Sequence, residues 1–569
     1  GGDFSHGEIK KGGITQDGNV LTITDLELEG KDGPGLSILS GDVTLKLVGT
    51  NKIAGAPGFA GVYIKSGATL TIESDSGGIL YAYGGNGANS EGTTGAGIGG
   101  NGSNHDEEYV EDFGTVNILS GTVYAYGGSS DNIQSGGAAG IGSGSVAEDT
   151  DVTVAGSVNI SGGSVVAEGG TYPEWSGGAG IGSGSSSNGI GNAIYITISG
   201  DAKVTATGGE KGDAAGIGGG AGSAGGTIRI EGGIIEATGT SSGFGCGSGI
   251  GGGDPGAATI TITGGYVEAN SPFGHCIGSG YSAFDVGIIS ELHISGGTVV
   301  TGTHSTFPSI TASMVITGGS LNTGGVHSAN NGQESVYCIA LDFDGLSEGI
   351  PVESIGVEGY GMNDVITDSE GRVYVWLPKG TVLDSVSVDS GEYAPNEPYT
   401  VSESNDVQDL DLFISVKHQI HVVTEGEGYV KTSLSEASSG TPITLTVTPA
   451  EGYRLGTVST VPEVELSETE EGYSFVMPDS EVTVTVVFVI DSHTVTFYNG
   501  DDVHWSYAAS HGEPLVFPEE PAMDSTESKS YTFSHWEYEG SEVEKGRPVT
   551  EDMDLSAVFV ESDRVYTVA

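Results

Sequence analysis

Tyrosines occupy alternate positions in two segments of similar sequence. Tyr81 and Tyr83 lie in ILYAYGG, and Tyr124 and Tyr126 lie in TVYAYGG. Tyrosine rings pack against the apolar C–H faces of sugars, and their hydroxyls donate hydrogen bonds. If the two segments are neighbouring strands, the four side chains form an aromatic surface about the size of one or two sugar rings. Stacking that only stabilises exposed strands is the alternative explanation.

Three further residues extend this group. Glu168 ends the related segment VNISGGSVVAEGG, and Tyr172 and Trp175 follow in TYPEWS. A tryptophan in a loop rich in small residues is suited to contact a ligand at the surface. Covering a corner of the fold is the alternative role for Trp175. We include all three residues in the predicted ligand-binding set.

Acidic side chains raise a catalytic alternative. Glu168, Glu236 and Glu268 fall at outward positions of related segments. Glycosidases use two carboxylates, about 5 Å or about 6.5–9.5 Å apart, so these three residues are the candidates for a hydrolase. A polysaccharide lyase is disfavoured because Arg229 is the single arginine of the glycine-rich region.

A loop rich in carboxylates is the only candidate for a metal site. NHDEEYVEDFGT contains Asp106, Glu108 and Asp112, and oxygen-rich loops suit calcium. The segment lacks the D-x-[DN]-x-[DN]-G spacing of a known calcium loop, so solvated charge is the alternative. We expect no cofactor other than calcium.

Composition excludes several classes of protein. Glycine accounts for 101 of 569 residues, which rules out a mostly helical chain. The 76 acidic and 18 basic residues give a net charge of −58. Nucleic acid and anionic membranes are therefore poor partners. We also expect no membrane insertion in this segment, because it has no long apolar run.

Internal repeats predict the fold that positions these side chains. A Gly-Ile-Gly phrase, with one Cys-Ile-Gly variant, recurs around Ile98, Ile141, Ile181, Ile217, Ile250 and Ile277. Between these phrases lie two short alternating segments separated by a glycine corner. One unit cannot bury its own apolar side, so the units must stack. We predict an all-β, right-handed parallel β-helix over 1–334, with the isoleucines in an internal ladder.

Glycine becomes scarcer after residue 334. We predict a small antiparallel, β-sandwich-like domain over 335–417 that caps the solenoid. Two small β-rich modules follow over 418–490 and 491–562, opening with HQIHVV and HTVTFY. The final segment, 563–569, is similar to the start of a further module, so we expect the natural chain to continue.

Two resemblances refine this picture. The phrases GYR (452–454) and FVMPDSEVTVTVVF (475–488) resemble the divergent internalin-type B-repeat, as do VTFYNGD, YTFSHWEY and DMDLSAVF further on. The glycine-rich coils resemble the β-helical carbohydrate-binding domain surface proteins of Gram-positive gut bacteria. The first resemblance implies an extracellular stalk. The second implies glycan binding, which calcium assists in some relatives that bind plant polysaccharide.

We therefore predict an extracellular bacterial protein, either secreted or at the cell surface. It would bind a polysaccharide or a glycoprotein glycan, without catalysis, through an aromatic and acidic face. A glycoside hydrolase acting on host or dietary glycans is the first alternative. A structural spacer is the second.

Overall fold

The computed structural model describes most of the chain. The described residues are 2–87, 93–103, 112–131, 136–146, 153–172, 176–186, 191–282, 289–302, 308–323, 329–389 and 391–565. They form strands, turns and irregular segments, and no helix occurs among them. In this part of the chain we therefore find no helix long and apolar enough to cross a membrane. The chain divides into two compact units, Gly1–Ile414 and Ser415–Ala569.

A ladder of short parallel strands forms where the Gly-Ile-Gly phrases stack. Each repeat isoleucine pairs in register with the next one along the chain. All six are fully buried, and burying each contributes roughly 1.5–3 kcal/mol. This confirms the predicted isoleucine ladder. Its strands are Leu36–Ser40, Val62–Ile64, Ile98–Gly99, Ile141–Gly142, Ile181–Gly182, Ile217–Gly218, Ile250–Gly251 and Ile277–Gly278.

Two longer parallel sheets complete each coil, and we call them the leading and trailing faces in chain order. Five long strands contribute to both faces: Val20–Glu29, Gly226–Thr238, Ala258–Asn270, Ser290–Thr301 and Ile310–Asn322. The other strands of the leading face are Asp42–Val48, Thr69–Glu73, Thr115–Ile118, Thr153–Ile160 and Gly191–Ile198. Those of the trailing face are Thr50–Ala54, Ile79–Tyr83, Thr122–Tyr126, Ser164–Glu168 and Lys203–Thr207.

The apolar core follows from strict alternation along these strands. On the trailing face, two inward columns run through the stack, one of branched aliphatic residues and one of alanines. They are Leu80, Val123, Val165, Val204, Ile235, Val267 and Val299, and Ala82, Ala125, Ala167, Ala206, Ala237 and Ala269. Neighbouring coils pair residue for residue, so the positions between the columns form equally regular rows on the outside.

The glycine after each ladder isoleucine allows the coils to stack closely. Gly182 has a φ of 137°, a conformation that residues with a side chain rarely adopt. A Cβ atom there would collide with the carbonyl oxygen of Gly218 in the next coil. The Ile-Gly pair is thus required both by the core and by the backbone.

Antiparallel strands close the N-terminal end of the solenoid. Asp3–His6 pairs with Leu36–Ser40, and Glu8–Asp17 pairs with the first coil strand, Val20–Glu29. These strands cover a sheet end that would otherwise expose unpaired backbone groups.

A small β-rich domain covers the C-terminal end. Ser335–Phe343 pairs with Ala329–Asn330, Arg372–Pro378 and Gln408–Ile414. Its other strands are Val352–Ser354, Val382–Leu383, Val386–Val388, Gly391–Ala394 and Tyr399–Thr400. The domain has its own apolar core, but Trp376 packs into the solenoid core, where its Nε1 donates to the Leu321 carbonyl at 3.2 Å. We refer to it as the C-terminal cap.

The second unit begins with a module of two four-stranded sheets. One sheet contains Lys417–Glu425, Glu436–Ser438, Tyr453–Val461 and Val482–Ile490. The other contains Gly428–Thr432, Pro442–Pro449, Ser467–Thr469 and Gly472–Val476. Leu445, Phe475 and Val484 lie in its buried core.

The next module forms one five-stranded sheet. Its strands are Ser492–Asn499, Asp502–Ser510, Lys529–Tyr538, Ser541–Glu542 and Met553–Asp563. As in the preceding module, the opening strand pairs parallel with the last one, which pairs antiparallel with a middle strand. The two modules therefore share a three-stranded topology, in line with their matching opening sequences.

Candidate functional site

Register on the trailing face aligns the four predicted tyrosines and the three predicted glutamates in two outer rows. The first outer row consists of Lys52, Tyr81, Tyr124, Val166, Thr205, Glu236 and Glu268. The second outer row consists of Ala54, Tyr83, Tyr126, Glu168, Thr207, Thr238 and Asn270. Neighbours within a row are one coil apart, about 4.8 Å.

The four tyrosines form two stacked pairs. The ring centroids of Tyr81 and Tyr124 are 4.7 Å apart, with 7° between the ring planes. Those of Tyr83 and Tyr126 are 5.1 Å apart, with 12° between the planes. Because both distances are close to the coil spacing, the rings stack along the solenoid axis and stand edge-on to solvent. Within each pair, one face of each ring is covered by the other ring.

This orientation changes the expected surface. The alternation of residues predicts adjacent tyrosines, and the structure brings them together. A surface of exposed ring faces does not result, because each pair shares its inner faces. Ring edges and hydroxyls point outward, and the only faces not covered by another tyrosine are those at the two ends of the stack.

The surroundings of Tyr126 perturb its hydroxyl. Partial burial raises the pKa of Tyr126, and the nearby Glu168 carboxylate and the other tyrosines raise it further. The Tyr126 hydroxyl therefore stays protonated at neutral pH and can donate a hydrogen bond.

Lys52 occupies the N-terminal end of the tyrosine stack. It is the register partner of Tyr81, and its Nζ lies 5.4 Å from the centroid of the Tyr83 ring, a cation–π arrangement. Sequence analysis did not assign Lys52 to the site. Lys52 could have been predicted from the alternation of residues in Thr50–Ala54, which lies one coil before ILYAYGG.

The stack ends abruptly on its C-terminal side. Tyr124 is followed in its row by Val166, and Tyr126 is followed by Glu168. Val166 is half-buried and Thr205, next in the row, is exposed. From the register and the stacking we infer a step in the surface here, which we call the ledge, with the outer ring face of Tyr124 as its wall and Val166 as its floor. Glu168 is exposed at its side.

The three candidate catalytic carboxylates are not grouped together. Glu236 and Glu268 are register partners on adjacent coils. Glu168 lies in the other outer row, two coils before Glu236. Glu268 accepts a hydrogen bond from the side-chain nitrogen of Asn270 at 2.9 Å. Of the three, only Glu236 and Glu268 are therefore direct neighbours in one row, as a pair of catalytic carboxylates requires.

Tyr172 departs from its predicted role. It is only 7% exposed, so it leaves little surface for a ligand. The expectation of an exposed loop residue rested on the glycine- and serine-rich surroundings, which do not report burial. Trp175 lies outside the described residues.

The calcium candidates are only partly described. Asp106 and Glu108 lie outside the described residues. The Oδ1 atom of Asp112 accepts a hydrogen bond from the backbone nitrogen of Ala155 in the next coil, at 2.8 Å. Within the described ranges, no cluster of three or more His, Cys, Asp or Glu residues is placed to hold a metal ion.

Two family models match parts of the chain. A beta helix repeat model matches 116–145, 158–185, 196–221, 228–254 and 260–281. A divergent InlB B-repeat domain model matches 418–492. No curated protein matches the chain. The chain therefore contains β-helix repeats and a B-repeat module, a combination compatible with a surface or structural protein.

Proposed function

We propose that this protein is an extracellular bacterial surface or secreted protein whose β-helix binds a glycan without catalysis. The observation that carries the proposal is the step between Tyr124 and Val166 at the end of the aromatic stack. A sugar ring placed on the ledge would continue the stack, occupying the space that a tyrosine fills one coil earlier.

The chemistry around the ledge suits a polyhydroxylated ligand. The outer faces of Tyr124 and Tyr126 offer apolar, electron-rich surfaces to sugar C–H groups. The protonated Tyr126 hydroxyl can donate a hydrogen bond, and the Glu168 carboxylate can accept one from a sugar hydroxyl. A polysaccharide or a glycoprotein glycan would present such rings in series.

The B-repeat match supports the proposed location. The match over 418–492 is to a divergent InlB B-repeat domain, in line with the extracellular stalk that the sequence resemblance implies. The net charge of −58 suits a soluble, exposed protein.

The test is a glycan array probed with the full chain, followed by titration of the bound glycans. We expect Tyr124→Ala and Tyr126→Ala each to weaken binding roughly three- to tenfold, because each removes one aromatic contact with the sugar. Tyr195→Ala is the matched control, because Tyr195 is 58% exposed on the leading face, away from the stack. Equal effects of all three substitutions, or no glycan bound by the wild type, would contradict the proposal.

A glycoside hydrolase is the second candidate, favoured by one observation. Glu236 and Glu268 lie on adjacent coils, about 4.8 Å apart along the stack, close to the ~5–5.5 Å of retaining enzymes. Release of reducing sugar that Glu236→Gln or Glu268→Gln abolishes would establish this activity. If the protein neither binds glycans nor releases sugar, a structural spacer is the remaining candidate.

A further inference from the structure

A groove lies where the C-terminal cap meets the corner between the leading and trailing faces. Its floor is a third outer row, the corner row, in which Lys203, Ile234 and Tyr266 are register partners on successive coils. Its wall includes Val352, Met362 and other residues of the cap. The cavity measures about 540 Å³, within the ~300–1,000 Å³ typical of ligand sites.

Hydrogen bonds to the corner glycines hold the wall in place. The backbone nitrogen of Gly297 donates to the Asn363 carbonyl at 2.6 Å, and that of Gly265 donates to Asp364 Oδ2 at 3.0 Å. The next residue in the corner row, Thr298, accepts from the backbone nitrogen of Ile366 at 2.8 Å. The cap segment therefore follows the last coils as far as Gly265, and the groove begins where it stops.

The floor of the groove is apolar and accessible. Ile234 is 49% exposed, although it belongs to a regular strand of the solenoid. Tyr266 beside it is half-buried. A concave, preformed site lined by an aliphatic and an aromatic side chain gains binding energy by removing a ligand's apolar group from water.

The rim of the groove is strongly negative. Partial burial raises the pKa of Tyr266, and the carboxylates of Glu268, Glu348, Glu236 and Asp368 raise it further, in that order. Asp201, Glu353 and Asp364 line the groove itself, whereas Lys203 is the one cation among its lining residues. A ligand for this groove must therefore combine an apolar group with positive charge.

We propose that the groove binds a basic peptide segment of a partner protein. One large apolar side chain of the peptide rests on Ile234 and Tyr266, and flanking lysine or arginine side chains pair with the carboxylates of the rim. Charge complementarity favours this occupant over a neutral glycan, which gains little from the negative rim. The proposal uses none of the tyrosine-stack residues and stands independently of glycan binding.

The test is an array of short synthetic peptides incubated with the full chain. In each peptide a central Leu, Phe, Trp or Ser is flanked by arginines, by serines or by glutamates. We expect the arginine-flanked peptides with an apolar centre to bind best, and affinity to fall as salt is raised. Replacing the apolar centre by Ser should weaken binding roughly tenfold or more.

Two substitutions locate the binding in the groove. Ile234→Arg places a cation on the apolar floor and should weaken binding of the best peptide at least about tenfold. Leu119→Arg is the matched control, because Leu119 is 46% exposed elsewhere on the solenoid. Glu353→Gln should reduce both the affinity and its salt dependence, whereas Glu291→Gln, at an exposed site on the leading face, should not.

Three outcomes would overturn the proposal. In the first, none of the peptides binds. In the second, arginine- and glutamate-flanked peptides bind equally well. In the third, Ile234→Arg and Leu119→Arg weaken binding equally. A glycan that binds wild type and loses affinity in Ile234→Arg would show that the groove is a sugar subsite instead. Glycan binding that depends on Tyr124 but not on Ile234 leaves the proposed function intact whatever the peptides show.

Discussion

Tyr124 and Val166 are register partners on adjacent coils, and between them the aromatic stack of the β-helix stops. The ring of Tyr124 is covered by Tyr81 on one face, at a centroid distance of 4.7 Å. Its other face is turned toward the small side chain of Val166. The site proposed for a sugar ring exists because of this change in side-chain size, since the backbone continues unchanged.

Filling the ledge distinguishes two ways in which the tyrosines can bind sugar. In Val166→Tyr a new ring should stack on Tyr124 and occupy the ledge, so glycan affinity should fall roughly tenfold. If sugars instead contact the row of ring edges and hydroxyls, the added tyrosine extends that row and affinity holds or rises. Titration of an array-positive glycan decides between the two.

Thr205→Tyr is the control for this substitution. Thr205 is exposed one coil beyond Val166 in the same row, so a tyrosine there leaves the ledge open. We expect near-wild-type affinity for Thr205→Tyr. A similar loss in both variants would place the sugar farther along the row than the ledge.

The glycine of the isoleucine ladder should be among the least replaceable residues. Gly182→Ala would force a side chain into a backbone conformation at φ 137° and against the carbonyl of Gly218. We expect a loss of at least about 2 kcal/mol in the free energy of unfolding of the solenoid. Urea unfolding followed by circular dichroism measures it.

Gly67→Ala separates backbone strain from the collision. Gly67 also has a positive φ, 79°, but a Cβ there meets nothing within 4 Å. Its substitution should cost only about 1 kcal/mol. If Gly67→Ala and Gly182→Ala are equally destabilising, close stacking of the coils is not what selects glycine in the ladder.

Sequence periodicity predicts the parts of this structure that repeat. The spacing of Ile98 and Ile141 and the alternation around Tyr81 and Tyr124 are local signals, and each coil reinforces the next. Ring orientation is not encoded in that way, because register fixes where a side chain starts but not its rotamer. Burial of Tyr172 depends on tertiary packing, and its glycine-rich neighbours carry no signal for it.

The groove could not be predicted from the sequence for a related reason. Ile234 and Tyr266 belong to the repeats, whereas Met362 belongs to the cap, about a hundred residues later in the chain. Nothing in the alternation of the repeats indicates which cap segment will lie on the corner glycines. The hydrogen bond between Gly265 and Asp364 is a tertiary contact with no local signature.

The three cysteines should be unreactive while the first unit is folded. The structure holds Cys246, Cys276 and Cys338 as buried free thiols. Burial raises the pKa of Cys246 to about 11 and that of Cys338 to about 12, so both remain protonated at pH 8. We expect a thiol reagent to label less than one cysteine per native chain at pH 8, and all three after denaturation.

Single substitutions identify which cysteine becomes accessible to the reagent first. Cys338 packs against the solenoid core, so it should react only when the cap opens. The label that appears with cap opening should therefore be absent in Cys338→Ala. Fast labelling of native protein would contradict the burial. A mass two hydrogen atoms below that of the fully reduced chain would show that a disulfide forms.

Alkaline pH should destabilise the joint between the solenoid and the cap. The Tyr360 hydroxyl donates to the Gly319 carbonyl at 2.9 Å and accepts from the Trp376 backbone nitrogen at 3.0 Å. Burial raises the pKa of Tyr360 above its ordinary value of 10.0, and burial raises the pKa of Cys338 from 9.0 to about 12. The unfolded chain therefore loses these protons at lower pH than the folded chain. The contribution of these two protonated groups to the free energy of unfolding is fully present below pH 9, and it is lost as the pH rises above that value.

Tyr360→Phe tests this linkage, with unfolding measured at a series of pH values from 7 to 11. At pH 7 the variant should lose about 1–3 kcal/mol, because a buried carbonyl and a buried backbone nitrogen lose their partner. Above pH 10 its stability should fall less steeply than that of wild type, since one of the two linked groups is gone. Tyr195→Phe, at an exposed tyrosine, should keep the wild-type slope. If Tyr360→Phe keeps that slope as well, the Tyr360 hydroxyl titrates freely, and the joint must be held by Trp376 and the apolar contacts around it.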